Sequence, residues 1–455
     1  MQPSHSLSAF GQAVLEHLVA LVRLDTSNPP GNERQACLYI SDILQKEGIP
    51  FQTAEPSPGR MNLVARLEGT KAKRPFLLNA HLDVVPAERQ KWRHDPFGAV
   101  IEDGHLYGRG TLDMKQMAAM ALGILVTLKR EGIKPPRDLI VAFVADEEAG
   151  CEMGSAYLVD HNPGWIDAEF GLTEGGGFAL PILDRTFVTV CVAEKGVLWV
   201  RLHALGKPGH ASVPTQESAT HRLVQTLGRL LNPPFPLTLT PPMRAFFTTL
   251  QNCTSPWQAR AFLRAMLASK RVDRWLLPFT LKKGSDTQAL GAMLRNTIAL
   301  TRIEAGMKEN VIPSSAWADL DCRLLPGETS ERFLKALRAR IPKKDDEHVR
   351  FEVLQDQGAS QSPSGSPLFR AIEKTIERHL PESTPIPFLT PGFTDAHHYR
   401  KLGMTMYGFI PMEASKGTEF ARLIHGHDEC ISLKNVDFGA TVLMELTKRV
   451  LFEVG

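Results

Sequence analysis

The chain is poor in features that would mark several function classes. Its six cysteines (Cys37, Cys151, Cys191, Cys253, Cys322, Cys430) are scattered through 455 residues with no CxxC pair. That spacing supports neither a disulfide framework nor a structural zinc motif, and it fits a reducing cytoplasm. No apolar run reaches the roughly 20 residues of a transmembrane helix; the longest lies near Met117–Leu128. Charge of one sign is also lacking. Lys+Arg 52 against Asp+Glu 50 leaves a formal net charge of +2, which gives no electrostatic footprint for nucleic acid or an anionic membrane. Internal repeats and long low-complexity tracts are absent as well. What is present is a globular composition, 43% hydrophobic and 22% charged, in a chain too long for one core.

The N-terminal segment carries Val14, Leu15, Leu18, Val19 and Val22 at helical spacing, which reads as an amphipathic helix and not as a signal peptide. Strand and helix signals then alternate. Arg74–Ala80, Asp138–Ala145 and Ala168–Thr173 read as strands, with helices over Lys115–Arg130 and Ser155–His161. This alternation favours an α/β unit with a largely parallel sheet covered by helices. After Glu194 the pattern changes. Strands over Leu198–Leu205, Ala299–Ile303, Ala316–Leu324 and Val349–Leu354, with helices over Ser218–Leu231 and Ser330–Arg340, predict a small inserted α+β layer. Within it, Pro233–Gly284 reads as a basic, helical excursion with a solvated face, and Gly358–Pro367 reads as a linker. Helices at Leu368–His379 and Val436–Phe452 restore the α/β character.

The acids and imidazoles fall where chemistry would be expected. His81 and Asp83 follow the apolar run PFLLNA, Glu147 and Glu148 follow DLIVAFVAD, and Glu174 follows AEFGLT. Asp113 stands in the glycine-containing loop GRGTLDMK before a helix. Ligand sites of open α/β sheets lie beyond the carboxyl ends of strands. Acids converging there repel one another and are costly to desolvate unless a cation neutralises them. Taken singly, each residue also has an ordinary explanation as a surface turn or helix cap.

The ordered segments NAHLDVVP, GRGTLDMK, DEEAG, LTEGGG, GKPGHAS, ENVIP and IHGHDE resemble the co-catalytic zinc aminoacylase/carboxypeptidase metallopeptidases. That family includes succinyl-diaminopimelate desuccinylase, acetylornithine deacetylase and glutamate carboxypeptidase. Within it, EKG, ALTRIEAGMKENVIP and RLIHGHDE are similar to the carboxypeptidase S and N-fatty-acyl-amino-acid hydrolase branch. The resemblance implies a zinc-peptidase-like catalytic domain formed by 1–195 and 361–455. Into it would be inserted a lid at 196–360, with a four-stranded antiparallel sheet, two helices and the excursion 233–284. It also implies two zinc ions bridged by Asp113, one completed by His81 and Glu174 and the other by Glu148 and His425; manganese or cobalt would suit the same ligands.

By the same resemblance Glu147 is the general base, and Asp83 is the carboxylate behind His81. His210 contacts the scissile carbonyl, often from a partner subunit, and Arg323 receives the substrate carboxylate. Asn310, Gly392 and Thr394 lie near the substrate, and the Asp113–Met114 peptide is cis. His427, His397 and His398 match no ligand position and are read as rim or structural residues. The implied activity is hydrolysis of the amide between an acyl group or peptide and a C-terminal amino acid. The expected partner is a small-molecule substrate, with no nucleic acid or membrane, and the lid is the family's usual homodimer surface. A metal-dependent phosphoesterase or a non-catalytic binding protein on the same scaffold are the competing readings.

Overall fold

The computed structural model describes residues 7–269, 275, 285–413 and 422–454. The end of the expected excursion, 276–284, therefore lies outside the described residues.

Ten strands build the main sheet. At its centre Leu139–Val144, Phe76–His81, Phe170–Thr173 and Thr405–Gly408 run parallel, in that order. Ser383–Thr390 runs parallel to the long strand Arg185–Glu194. The expected parallel sheet thus describes the centre, while Phe51–Ala54, Asn62–Leu67, Ala179–Ile182 and Ser360–Gln361 pair antiparallel around it. The central strands are buried on both faces, and their side chains divide by alternation. Phe76, Leu78, Val141 and Phe143 enter a core with the helices Ala9–Val22, Lys115–Glu131 and Leu433–Phe452, whereas Leu77, Ile140 and Val144 meet Leu158, Ile166 and Tyr399 on the opposite face.

A separate antiparallel sheet has the order Thr297–Ala305, Ser315–Leu324, Gly196–Leu205, Val349–Gln357. One face of it, including Leu198, Val200 and Leu202, packs on Leu223 and Leu227 of helix Ala219–Leu231 and on Phe333 and Leu337 of helix Ser330–Arg338.

Two expectations fail locally. The excursion does not present a merely solvated face: Met243, Phe246, Phe247 and Leu250 of helix Pro241–Cys253, with Leu263 and Met266 of Trp257–Ala268, are buried in the core of the main sheet. Their spacing makes an apolar stripe that needs a partner. The stretch Gly358–Pro367 is not a free linker either. Ser360 and Gln361 pair with Glu194 and Ala193, and Ser362 and Ser366 are buried.

Candidate active site

Parallel pairing of Phe76–His81 with Leu139–Val144 and Phe170–Thr173 brings three carboxyl-terminal strand ends side by side. His81 ends the first, Glu147 and Glu148 follow the second in a short 3-10 turn, and Glu174 follows the third. Asp113 approaches from the loop before helix Lys115–Glu131, and His425 from the segment before Cys430–Ser432. The glycines after Glu174 permit this closeness. A Cβ on Gly408 would stand 1.9 Å from the Glu174 carbonyl oxygen, and one on Gly176 would stand 2.3 Å from the carbonyl of Gly408.

Asp113 lies at the centre. Its Oδ1 is 3.1 Å from His81 Nε2, and its Oδ2 is 3.1 Å from His425 Nε2. Glu174 Oε1 is 3.7 Å from His81 Nε2, and Glu148 Oε1 is 3.1 Å from His425 Nε2. Potential ligand atoms of His81, Asp113 and Glu174 fall within 4.8 Å of one another, as do those of Asp113, Glu148 and His425. Two mixed N/O triads therefore share one carboxylate, and each could hold a divalent cation. Glu147 Oε2 stands 4.0 Å from His81 Nε2, inside the same cluster.

The electrostatics show what the protein chain alone lacks. Burial, with the charge of Asp113, pushes Glu174 up to about 8. Burial, with the charge of Glu174, lifts Glu147 well above the usual carboxylate range, and burial also raises Glu148. Burial opposes charge on His81, but the charge of Glu174 and bonds to Asp113 and Asp83 outweigh it and raise the imidazole. Bonds to Asp113 and Glu148 carry His425 up to about 10. The group as a whole is short of positive charge, which bound cations would supply.

Asp83 is fully buried but serves more than His81. His81 Nδ1 is 3.0 Å from the Asp83 carbonyl oxygen and 3.5 Å from its carboxylate. That carboxylate accepts bonds from the backbone N–H groups of Glu147 and Glu148, 3.1 Å each, and from Asn28. It therefore fixes the turn carrying two cluster acids. Sequence reasoning missed Asn28, Arg60 and Asp146. Asp146, at φ +69°, accepts from Asn28, Arg60 and the Met153 N–H and holds the turn from behind. It also passed over Arg109 and Glu429, although both lie inside quoted motifs. The Asp113–Met114 peptide is cis, as expected.

The other candidates belong to neither triad, and of them Thr394 borders the cluster, its Cγ2 lying 3.7 Å from where a Cβ on Gly175, next to Glu174, would stand. His210 is exposed on the short strand Gly209–His210, pairs with Val311, and has Nδ1 2.7 Å from Ser212 Oγ. Asn310 is beside it, its carbonyl accepting from Ala211 N. Arg323 is engaged bidentately by Asp321, at 2.7 and 3.0 Å. Gly392 N bonds Thr390 Oγ1, while the N–H and hydroxyl of Thr394 both donate to buried Glu194. His397 and His398 are buried beside Phe393, and burial drives them down to about 4 and about 3. His427 Nε2 is 3.8 Å from Glu88.

Comparisons with known proteins agree with this geometry. Over 381 residues the chain is 32% identical to "Probable carboxypeptidase S-like 2" of Dictyostelium discoideum, covering 80% of this chain and 70% of that protein. It is 28% identical over 436 residues to mouse aminoacylase-1, covering 93% of each. It is 30% identical over 378 residues to the mouse N-fatty-acyl-amino acid synthase/hydrolase PM20D1, covering 79% of this chain and 71% of that protein. Among solved structures, the M20 family metallo-carboxypeptidase Sso-CP2 from Sulfolobus solfataricus shares the fold at a TM-score of 0.73 and 17% identity, over 96% of this chain and 98% of that one. A dinuclear metal-binding M20 peptidase of Bacillus subtilis superposes at 0.61 with 14% identity, over 97% and 99%. The family profile described as Peptidase family M20/M25/M40 matches residues 77–449, and with the two-triad cluster at the strand ends this places the chain in that family of metal-dependent hydrolases.

Proposed function

We propose that this protein is a dizinc amidohydrolase that cleaves N-acyl amino acids or short peptides on the acyl side of a C-terminal amino acid. The observation that carries the reading is the placement of Asp113, whose two carboxylate oxygens each face a different histidine at 3.1 Å. His81 and Glu174 would hold one zinc, and Glu148 and His425 the other. Manganese or cobalt would fit the same donors. Bound there, the ions supply Lewis acidity toward the scissile carbonyl and the attacking water.

The remaining steps belong to the chain. Glu147 takes the proton of the water at a carboxylate oxygen and delivers it to the leaving nitrogen. Asp83 holds the Glu147–Glu148 turn with its carboxylate and the His81 ring, at Nδ1, with its carbonyl oxygen while this occurs. His210 donates toward the carbonyl oxygen, and Asn310, on the same short ribbon, flanks it. Arg323 receives the free carboxylate of the substrate, sharing or exchanging the fork now given to Asp321. Gly392 offers a side on which that carboxylate can approach the backbone. Thr394 acts through Glu194, the acceptor of both its donors.

In domain terms, 1–195 and 361–455 carry the cluster and 196–360 is the inserted lid, with 233–284 as its excursion. A cytoplasmic location is in keeping with six free thiols, and no described helix is long and apolar enough to cross a membrane. A homodimer through the lid belongs to the same reading. The names of the relatives support acyl amino acids or peptides as substrates over phosphoesters, and the presence of Glu147 with all five ligands supports catalysis over simple binding.

The deciding experiment is Glu147→Gln assayed with zinc loaded. Turnover of N-acyl amino acids should fall about 10²–10⁴-fold while metal content holds; unchanged turnover refutes its role as the base. Arg323→Ala should raise KM about 10-fold or more for free carboxylates, with little change for C-terminal amides.

A further inference from the structure

Glu429 is a fully buried carboxylate four residues beyond His425. Its Oε1 lies among three backbone N–H donors of the other loop: Gly110 at 3.1 Å, Leu112 at 2.7 Å and Asp113 at 3.3 Å. Its Oε2 accepts from Arg109 Nη1 at 2.7 Å. The second arm of Arg109 turns back and donates to the carbonyl of Gly426 at 3.1 Å. The guanidinium also lies over the Trp92 ring, 5.1 Å from its centroid. Backbone pairing of Cys430–Ser432 with His105–Tyr107, and the Gly108 N–H bond to the Glu429 carbonyl, lock the same two segments together.

A buried ion pair is a poor source of net stability, since desolvation offsets most of its attraction. What this one supplies is direction. Every partner of the Glu429 carboxylate and the Gly426 contact of Arg109 belong to the loops that carry Asp113 and His425. Those two residues are both members of the Asp113–Glu148–His425 triad, while the other triad shares only Asp113.

We infer that the Arg109–Glu429 pair is a positioning device for the His425-side metal ion, holding that histidine at its distance from Asp113 by joining two loops that are remote in the chain. The inference rests on the dinuclear reading above. Outer-shell groups of this kind commonly change metal affinity about 10–100-fold when replaced.

The test is zinc titration of the full-length apoprotein, by calorimetry and by competition with a chromophoric chelator. For Glu429→Gln the tighter ion should stay within about threefold of wild type, and the weaker ion should lose about 10–100-fold. Arg109→Lys keeps the charge but not the fork, so it should give a smaller loss at the same ion. Asp138→Asn is the control. It removes the charge of a half-buried pair with Arg66, 2.9 Å apart, just before Leu139–Val144, at the far end of the strand from the cluster. It should lower the unfolding midpoint and leave the ratio of the two zinc affinities unchanged. A wild-type ratio in Glu429→Gln overturns the inference, as does equal weakening of both ions or the same selective loss in Asp138→Asn. Should Glu429→Gln not fold, Arg109→Lys decides: selective loss supports the inference and an unchanged ratio overturns it. Wild type binding a single zinc would instead remove the dinuclear reading itself, before any variant is compared.

Discussion

The two halves of the cluster are built differently. His81 and Glu174 stand at the ends of neighbouring strands in the most buried part of the sheet, and the His81 side chain is fully enclosed. His425 arrives on an irregular segment at φ +59° with 48% of its side chain exposed. The first half is prescribed by strand pairing, because fixing the sheet fixes the distance between strand ends. The second has no such template and depends on a turn tied down by Asp83 and Asp146, and on a loop tied down by Glu429. One cluster thus combines a scaffolded half with a tethered half.

The sharpest way to test this contrast is to remove one histidine from each half. His81→Ala and His425→Ala should each lower turnover at least about 10³-fold, and the former should weaken the metal-free protein more. Removing one partner from a fully buried charged network costs about 3–5 kcal/mol; the half-exposed His425 ring, paired with Asp113 and Glu148 but reached by solvent, should lose less. Urea unfolding of both apoproteins reads the difference, and equal losses would end the comparison. Next in size is the order of metal release. Dialysis against a chelator should remove one equivalent at least about tenfold more readily than the other, and His425→Ala should abolish the labile one selectively.

The smallest effect belongs to a group in neither half. Lys195 is buried, and burial lowers its amine to about 7. Unfolded, it would take up a proton at its ordinary value of 10.5. Between those values the unfolded chain holds more protons, so stability should rise with pH from about 7 toward 10 and be lost as pH falls. The slope from this group is at most about 1.4 kcal/mol per pH unit. Lys195→Met should flatten the pH dependence of the unfolding free energy over that window relative to wild type.

Much of the scaffolded half was legible in sequence. Apolar runs ending in HLD, DEE and TEG mark buried parallel strands with polar ends, and pairing rules then place those ends together. The helix Ser155–His161 and the strands of the separate antiparallel sheet were legible for the same local reason. What ties down the other half was not. Nothing near Glu429 says that its oxygens face the backbone of Gly110, Leu112 and Asp113, because that relation exists only after the chain has folded. The stripe Met243, Phe246, Phe247, Leu250 announces that a helix has a buried face but not which core receives it. Arg323 shows the same limit: its fork was recognisable as a carboxylate receiver, but its present engagement with Asp321, two residues away on one strand face, was not foreseen.

The docking of helix Pro241–Cys253 on the main core has a consequence for how the protein could be taken apart. The chain leaves the main sheet at Glu194, builds elements of the antiparallel layer to Leu231, returns to bury Phe246 and Phe247 in the core of the main sheet, goes back to the antiparallel strand Thr297–Ala305, and rejoins the main sheet at Ser360. Lys195, at the first passage, donates to the carbonyls of Ala292 and Arg295 and to Thr297 Oγ1, at the third. Among the described residues the antiparallel layer is consequently laced to its host by four strings, two of them knotted together. It is not a cassette: excising it would pull Phe246 and Phe247 out of the core of the main sheet.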